Sequence, residues 1–197
     1  MTDRLVRFDL RLKLVVEGAV AFGPGNLGLP PAEIEKRVNE SLAMVGMENY
    51  AKRPPHTLSN GEKQRVAIAG VLAMKPRYVV FDEPTTYLDP SGRKKVLDIL
   101  EKLHGQGITL IHVTHDMDEI TAADEIIVMD AGTVVLKEKP AEVFTRVAWL
   151  KDLGVDVPRV TELMCRLRQM GKGVRTNIFT LEDACLELSA LMKSETA

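Results

Sequence analysis

Apolar residues recur along this chain with more than one period. Between Arg4 and Phe22 they alternate roughly with polar ones, through Leu5, Phe8, Leu10, Leu12, Leu14 and Val16, which predicts a strand. Gly23-Pro24-Gly25 and Gly28-Leu29-Pro30-Pro31 break that run into a loop. From Pro31 the period lengthens. Ile34, Val38, Leu42 and Val45 form one helical stripe, with Pro31 in the first turn and Gly46 at the end. Lys52-Arg53-Pro54-Pro55-His56 reads as a rigid connector. A second helix is expected to start at Ser59 and to run through Val66, Ile68, Ala69, Val71 and Leu72 to about Met74.

Tyr78–Phe81 and Ile108–Val113 are short, apolar and β-rich, so each predicts a strand buried on both faces. Between them Asp89 and Pro90 open a helix carrying Val96, Leu97, Leu100 and Leu103, ended by Gly105. A short helix over Met117–Ala123 precedes a third strand, Glu125–Met129, and a hairpin mate, Thr133–Leu136, follows Asp130-Ala131-Gly132. Strands alternating with helices predict a parallel α/β sheet. From Val155 the character changes. Pro158 opens a helix with Val160, Leu163, Met164 and Leu167, closed by Gly171. Thr180, with Asp183 three residues on, caps a last helix whose stripe is expected to be Leu181, Cys185, Leu188 and Leu191. The expected division is residues 1–154, with a helical subdomain over about 30–75, and a small appendage over 155–197.

Composition narrows the function classes. The 197 residues are 45% hydrophobic and 27% charged, as in ordinary globular proteins. Lys plus Arg is 26 against 28 for Asp plus Glu, a net charge of −2 that leaves no basic footprint for nucleic acid. No apolar run approaches the roughly 18–20 residues of a membrane span, and no signal-peptide pattern opens the sequence. Any link to a membrane is therefore expected to run through a partner. Cys165 and Cys185 lack ligand-like spacing and read as small apolar residues.

Candidate chemistry concentrates between Ser59 and His115. Ser59 and Glu62 form an S-x-x-E capping box, which any helix can use. The same helix start can instead bind phosphate through N–H groups at Asn60, Gly61 and Glu62 and the Ser59 hydroxyl. Asp82 and Glu83 end a buried strand, where ligands bind in open α/β sheets. Asp89 before Pro90 suits an ordinary helix cap, and a histidine after a strand, like His115, is often incidental. No G-x-x-x-x-G-K-[ST] occurs in these 197 residues, and Gly23, Gly25 and Gly28 with their prolines read as turns.

The order and spacing of these pieces resembles the second half of an ATP-binding-cassette ATPase. Leu58-Ser59-Asn60-Gly61-Glu62-Lys63-Gln64-Arg65 resembles its signature motif, and Tyr78-Val79-Val80-Phe81-Asp82-Glu83-Pro84 its Walker B strand. Leu88-Asp89-Pro90 resembles the D-loop, and Thr114-His115-Asp116 the switch histidine. Val16-Glu17-Gly18-Ala19-Val20-Ala21-Phe22-Gly23-Pro24 with Asn26-Leu27-Gly28-Leu29-Pro30 is similar to the ATPases of energy-coupling factor importers for cobalt, nickel and vitamins. Val157-Pro158-Arg159-Val160-Thr161-Glu162-Leu163, with Leu167-Arg168 and Gly171, fits the same branch. The chain departs from the family pattern at Gly18 and Ala19, near which acidic residues are usual, at Asn60, which replaces a glycine, and at Tyr87, where a small residue is commoner.

The resemblance implies an incomplete P-loop NTPase fold: a parallel sheet, a helical signature subdomain and a C-terminal appendage. It implies ATP and Mg²⁺ as cofactors. Asp82 would hold the metal through its shell, Glu83 would orient or deprotonate the attacking water, and His115 would contact the γ-phosphate. Ser59, Asn60, Gly61, Glu62 and Asp89 would serve the nucleotide of a second ATPase subunit, in a homo- or heterodimer. That pair would dock beneath a transmembrane coupling protein with a substrate-binding membrane component, as a peripheral assembly on the cytoplasmic face. The expected function is that of an N-terminally truncated importer ATPase, with cobalt the expected cargo. Lacking a phosphate loop, the chain is expected not to turn over ATP alone. One alternative is a non-catalytic partner that completes another subunit's site. Another, a nucleic-acid-associated cassette ATPase, would need coiled-coil insertions or paired zinc cysteines, and neither occurs. A last expectation is that Arg4–Phe8 or Leu10–Val15 fills the sheet position of the family's phosphate-loop strand.

Overall fold

The computed structural model describes residues 15–195. These fall into two compact units that divide between Val113 and Thr114. Of the strand expected over Arg4–Phe22, residues 4–14 lie outside the described residues. So does the segment proposed to fill the sheet.

In the first unit, helix α1 (Val16–Asn26) replaces the expected continuation of that strand and runs on through Pro24. Two long-range hydrogen bonds account for it. The N–H groups of Val16 and Glu17, which a helix start leaves without internal partners, donate to the carbonyls of Arg53 and Ala51, both at 2.9 Å. Val16, Ala19, Val20 and Gly23 are then buried, and α1 packs on α2 (Pro31–Met44) and α3 (Asn60–Leu72). Pro24 falls in the last part of the helix, and the chain beyond it is closed by Leu27 N–H donating to the carbonyl of Gly23. Gly23 permits the close approach to the end of α3. A Cβ there would meet Met74 Cγ and Sδ at 2.8 and 2.9 Å.

Strand β1 (Tyr78–Asp82), helix α4 (Pro90–Gly105) and strand β2 (Thr109–Val113) complete this unit. The two strands are parallel, with Val80 opposite Ile111 and Asp82 opposite Val113. Val79 and Phe81 point into a core with Val66, Ile68, Ala69, Val96, Leu100 and Leu103. The opposite face is not buried as expected: Tyr78 is 71% exposed, Val80 62%, Ile111 52% and Val113 47%. Among the described residues of this unit, helices cover the sheet on one side only.

The second unit opens with a single 3₁₀ turn, Met117–Glu119, where a longer helix over Met117–Ala123 was expected. Asp116 caps it by accepting from the Asp118 N–H at 3.1 Å. Strands β3 (Ile126–Asp130) and β4 (Thr133–Glu138) form the expected hairpin, turned by Ala131 and Gly132, both at positive φ as a tight hairpin turn requires. Two short helices follow that the periodicity did not announce, α5 (Pro140–Val143) and α6 (Val147–Asp152). They bury Val143, Phe144 and Leu150 against Ile126 and Val128. Helices α7 (Arg159–Gln169) and α8 (Leu181–Glu195) enclose Met164, Val174, Ile178 and Ala184. The buried Thr161 hydroxyl donates to the Ile178 carbonyl at 2.7 Å. Thr180 and Asp183 form the expected cap. The stripe of α8 is rotated from expectation, however. Ala184, Leu188 and Leu191 face inward, and Leu181 and Cys185 are exposed.

No helix among the described residues is long and apolar enough to cross a membrane. The Gly23→Ala substitution is expected to destabilise the first unit by roughly 1–3 kcal/mol through overpacking. Combining it with Met74→Ala should recover part of that loss, and chemical denaturation followed by circular dichroism reads both. A neutral Gly23→Ala would show that α1 and α3 are not pressed together at this point.

Candidate functional site

Two helix N-termini meet in the first unit. Helix α3 starts after Ser59 and helix α4 after Asp89, and the two helices pack on each other. The closeness rests on two glycines. A Cβ on Gly61 would lie 3.4 Å from Gly92 Cα, and a Cβ on Gly92 would lie 2.8 Å from Asp89 Oδ1 and 3.7 Å from Gly61 Cα. A recess of about 150 Å³ results, lined by Ser59, Gly61, Glu62, Arg65, Asp89, Ser91, Gly92 and Lys95.

Each helix start is capped within this recess. The Glu62 N–H donates to Ser59 Oγ at 3.3 Å, and the Ser59 N–H donates to Glu62 Oε2 at 2.8 Å, a full capping box. The Glu62 N–H, expected as a phosphate donor, is therefore taken by the cap. The Ser59 oxygen accepts there, while its hydroxyl also serves the Glu62 carboxylate. On α4, Asp89 Oδ1 accepts from the Gly92 N–H at 3.3 Å. The Glu62 carboxyl is held below its ordinary value of 4.5, first by the Ser59 N–H and then by the Ser59 and Tyr50 side chains and the Arg65 charge, against the opposing effect of burial. Arg65 is itself anchored, donating through Nη1 to the carbonyls of Val45 at 3.1 Å and Gly46 at 3.3 Å. These carbonyls follow the end of α2, where a cation is favoured by the helix dipole.

The remaining sequence-predicted residues lie elsewhere. Asn60 is the first residue of α3 and is exposed. Asp82 ends β1, exposed, opposite Val113. Glu83 extends the ladder by one bond, its N–H donating to the Val113 carbonyl at 2.9 Å, and Thr86 Oγ1 donates to its Oε2 at 2.6 Å. Its φ is +49°, in the left-handed region. Tyr87 at φ +63° shares that conformation in the same short turn. For non-glycine residues this costs roughly 1–2 kcal/mol each, and such strain gathers where function overrides local preference. His115 belongs to the second unit, where it is exposed between Thr114 and Asp116.

Arg65, Ser91, Gly92 and Lys95 were not singled out from the sequence as site residues. Gly92 carried a usable signal, since a glycine in the first turn of a helix is costly without a packing reason. Arg65 closes the signature-like run, while Ser91 and Lys95 are ordinary helix residues and carried none. As for metal, Asp82 is one carboxylate, which fits Mg²⁺ because that ion takes one or two protein carboxylates and completes its shell with water and phosphate. Among the described residues no cluster of three or more His, Cys, Asp or Glu could hold a metal by itself.

Loss of the Ser59 cap in Ser59→Ala is expected to cost about 1 kcal/mol, seen as faster hydrogen exchange in the first turn of α3. Because folding lowers the Glu62 pKa, its charge stabilises the fold fully above about pH 4.5, and that contribution is lost as pH falls through the lower folded value. Glu62→Gln should remove this part of the acid sensitivity. An acid-unfolding profile unchanged by the substitution would contradict the assignment.

Comparison with known proteins identifies the family. A family model described as "ABC transporter" matches residues 5–86. The chain is 50% identical over 177 residues to a cobalt import ATP-binding protein CbiO of Syntrophus aciditrophicus, covering 90% of this chain and 63% of that protein. It is 54% identical over 170 residues to an energy-coupling factor transporter ATP-binding protein EcfA1 of Caldanaerobacter subterraneus, covering 86% and 61%. The chain thus spans a little over three fifths of the length of these relatives. Among solved structures, cbiO1 of Clostridium perfringens, part of a cbiONQ transporter complex, matches at a TM-score of 0.64 and 40% identity over 78% of this chain and 62% of that one. A metal-chelate type ABC transporter in an inward-facing conformation matches at 0.67 and 22% identity, over 75% and 60%, a likeness of fold alone. In sequence and in fold the chain belongs to the ABC ATPases, in their energy-coupling factor branch.

Proposed function

We propose that this chain works as an ATP-binding subunit of an energy-coupling factor importer and contributes the signature half of a nucleotide site completed by a second ATPase subunit. One observation carries the reading: the recess where the N-termini of α3 and α4 converge. Two helix dipoles direct positive potential into it, and Ser59, Arg65 and Lys95 are among its lining residues. Such a recess suits the terminal phosphate of a nucleotide presented from outside. ATP with Mg²⁺ supplies the phosphoanhydride whose cleavage drives transport.

The chain's own residues divide that work. Ser59 and the first turn of α3 would bind and orient the phosphate, with Gly61 keeping the backbone close enough to touch it. Asp89 would set the spacing between the two helix starts. Asp82 would hold Mg²⁺, Glu83 would position water and His115 would meet the terminal phosphate only where a phosphate loop is also present. No such loop motif occurs in these 197 residues, so the trans role is favoured over turnover by this chain alone. Cobalt is the cargo we assign, supported by the cobalt import relative. Docking on a transmembrane coupling protein at the cytoplasmic face belongs to the same proposal.

Titration of the purified chain with a fluorescent ATP analogue and Mg²⁺ should give no saturable binding. Mixing it with the intact Syntrophus aciditrophicus relative should give ATP-dependent pairing in light scattering. Ser59→Ala should weaken that pairing about tenfold, the worth of one hydrogen bond to a charged group. Tight nucleotide binding or sustained hydrolysis by the chain alone would overturn the proposal.

A further inference from the structure

The segment between α2 and α3 is bonded to two helix starts without lining the recess itself. At one end, the carbonyls of Val45 and Gly46 accept from Arg65 of α3, at 3.1 and 3.3 Å. At the other, the carbonyls of Ala51 and Arg53 accept the first N–H groups of α1, and Lys52 Nζ meets Glu17 Oε1 at 2.6 Å. Between them stands a 3₁₀ turn, Glu48–Tyr50, where the Tyr50 N–H donates to the carbonyl of the fully buried Met47 at 3.0 Å. The segment is thus fixed at both ends and at its centre.

Tyr50 is the residue through which this support reaches the recess. It is half-buried and packs against the core of the first unit. The Arg53 guanidinium lies 4.6 Å from the ring centroid, and the Arg53 N–H donates to the Tyr50 carbonyl at 2.8 Å. A cation over the ring adds attraction, so the ring is clamped from its backbone and from its face. A tyrosine packed in this way keeps a hydrogen-bond partner for its hydroxyl. That partner is the Glu62 carboxylate, whose ionised form the hydroxyl favours.

The placement of Glu62 decides what an arriving anion meets. Its Oε2 accepts the Ser59 N–H at 2.8 Å, and the residue also lines the recess, facing Arg65 on its own helix and Asp89, Ser91 and Lys95 from α4. Swung toward the opening, the carboxylate would put a negative charge in the path of a phosphate and release the Ser59 N–H. The cap is a single bond made inside the recess, and Tyr50 adds a second hold from outside it. Resting on the half-site reading above, we infer that Tyr50 is a positioning residue of the half-site: clamped by Arg53, it keeps the Glu62 carboxylate on the helix cap and so leaves the first turn of α3 open to the phosphate of the facing subunit's nucleotide.

The experiment compares the full chain with Tyr50→Phe, which keeps the ring and its Arg53 contact and removes only the hydroxyl. An NMR titration of the Glu62 carboxyl in the free chain should show its midpoint moved to higher pH, since a donor to the charged form has gone. ATP-dependent pairing with the intact Syntrophus aciditrophicus relative should weaken about fivefold at neutral pH. In a Glu62→Gln background the same change should alter pairing by less than about twofold, because an amide carries no charge to restrain. An unmoved Glu62 midpoint overturns the role of Tyr50. So does an equal loss of pairing in both backgrounds, the mark of a tyrosine that only supports the fold. If the parent itself fails to pair in the presence of ATP and Mg²⁺, the half-site reading falls, and the titration still decides whether Tyr50 holds Glu62.

Discussion

The near-contact of two backbones, Gly61 on α3 and Gly92 on α4, is the constraint on which the rest of this site depends. Bringing two helix N-termini together sets two positive dipole ends side by side, which is unfavourable unless negative charge is placed between them. Glu62 and Asp89 supply that charge, each accepting backbone N–H groups at its own helix start. Arg65 is withdrawn from this balance toward the end of α2, where its guanidinium meets two carbonyls. The recess is thus a balanced place, with donors facing outward and its carboxylates already occupied. An anionic group arriving there meets dipoles that the caps have only partly neutralised.

Much of this arrangement was legible in the sequence because it is local. Ser59 and Glu62 three apart, and Asp89 beside Pro90, announce helix starts through bonds that span three residues. The Ala131-Gly132 hairpin and the Thr180 cap were legible for the same reason. What failed depended on residues far away in the chain. Alternation from Arg4 onward suggested that Val16 continued a strand, but the carbonyls of Ala51 and Arg53 meet the first N–H groups of α1 and make a helix start there. Likewise, α8 turns Ala184 inward in place of Leu181, to pack with Met164, Val174 and Ile178, which come from outside the helix. A stripe read by period alone does not reveal the shape it must fill.

The sheet makes the same distinction from the other side. A continuous apolar run reports that a strand can be buried on both faces; it does not report what stands there. In the described structure α3 and α4 bury Val79 and Phe81, and Val80 and Ile111 remain on an open face. Parallel sheets are ordinarily covered on both sides, and an open apolar face of this kind is a surface at which association is expected.

The turn from Glu83 to Asp89 connects these observations. It leaves the last rung of the sheet, where Glu83 bonds to Val113, and ends at the cap that sets the spacing of the two helix starts. Two of its residues take left-handed backbone without being glycine, and the Thr86 hydroxyl ties its beginning to its middle. The Thr86 hydroxyl on the Glu83 carboxylate, the Leu88 N–H on the Thr85 carbonyl and the Gly92 N–H on Asp89 follow one another along the turn, so the acidic end of β1 and the start of α4 are joined by a run of local bonds.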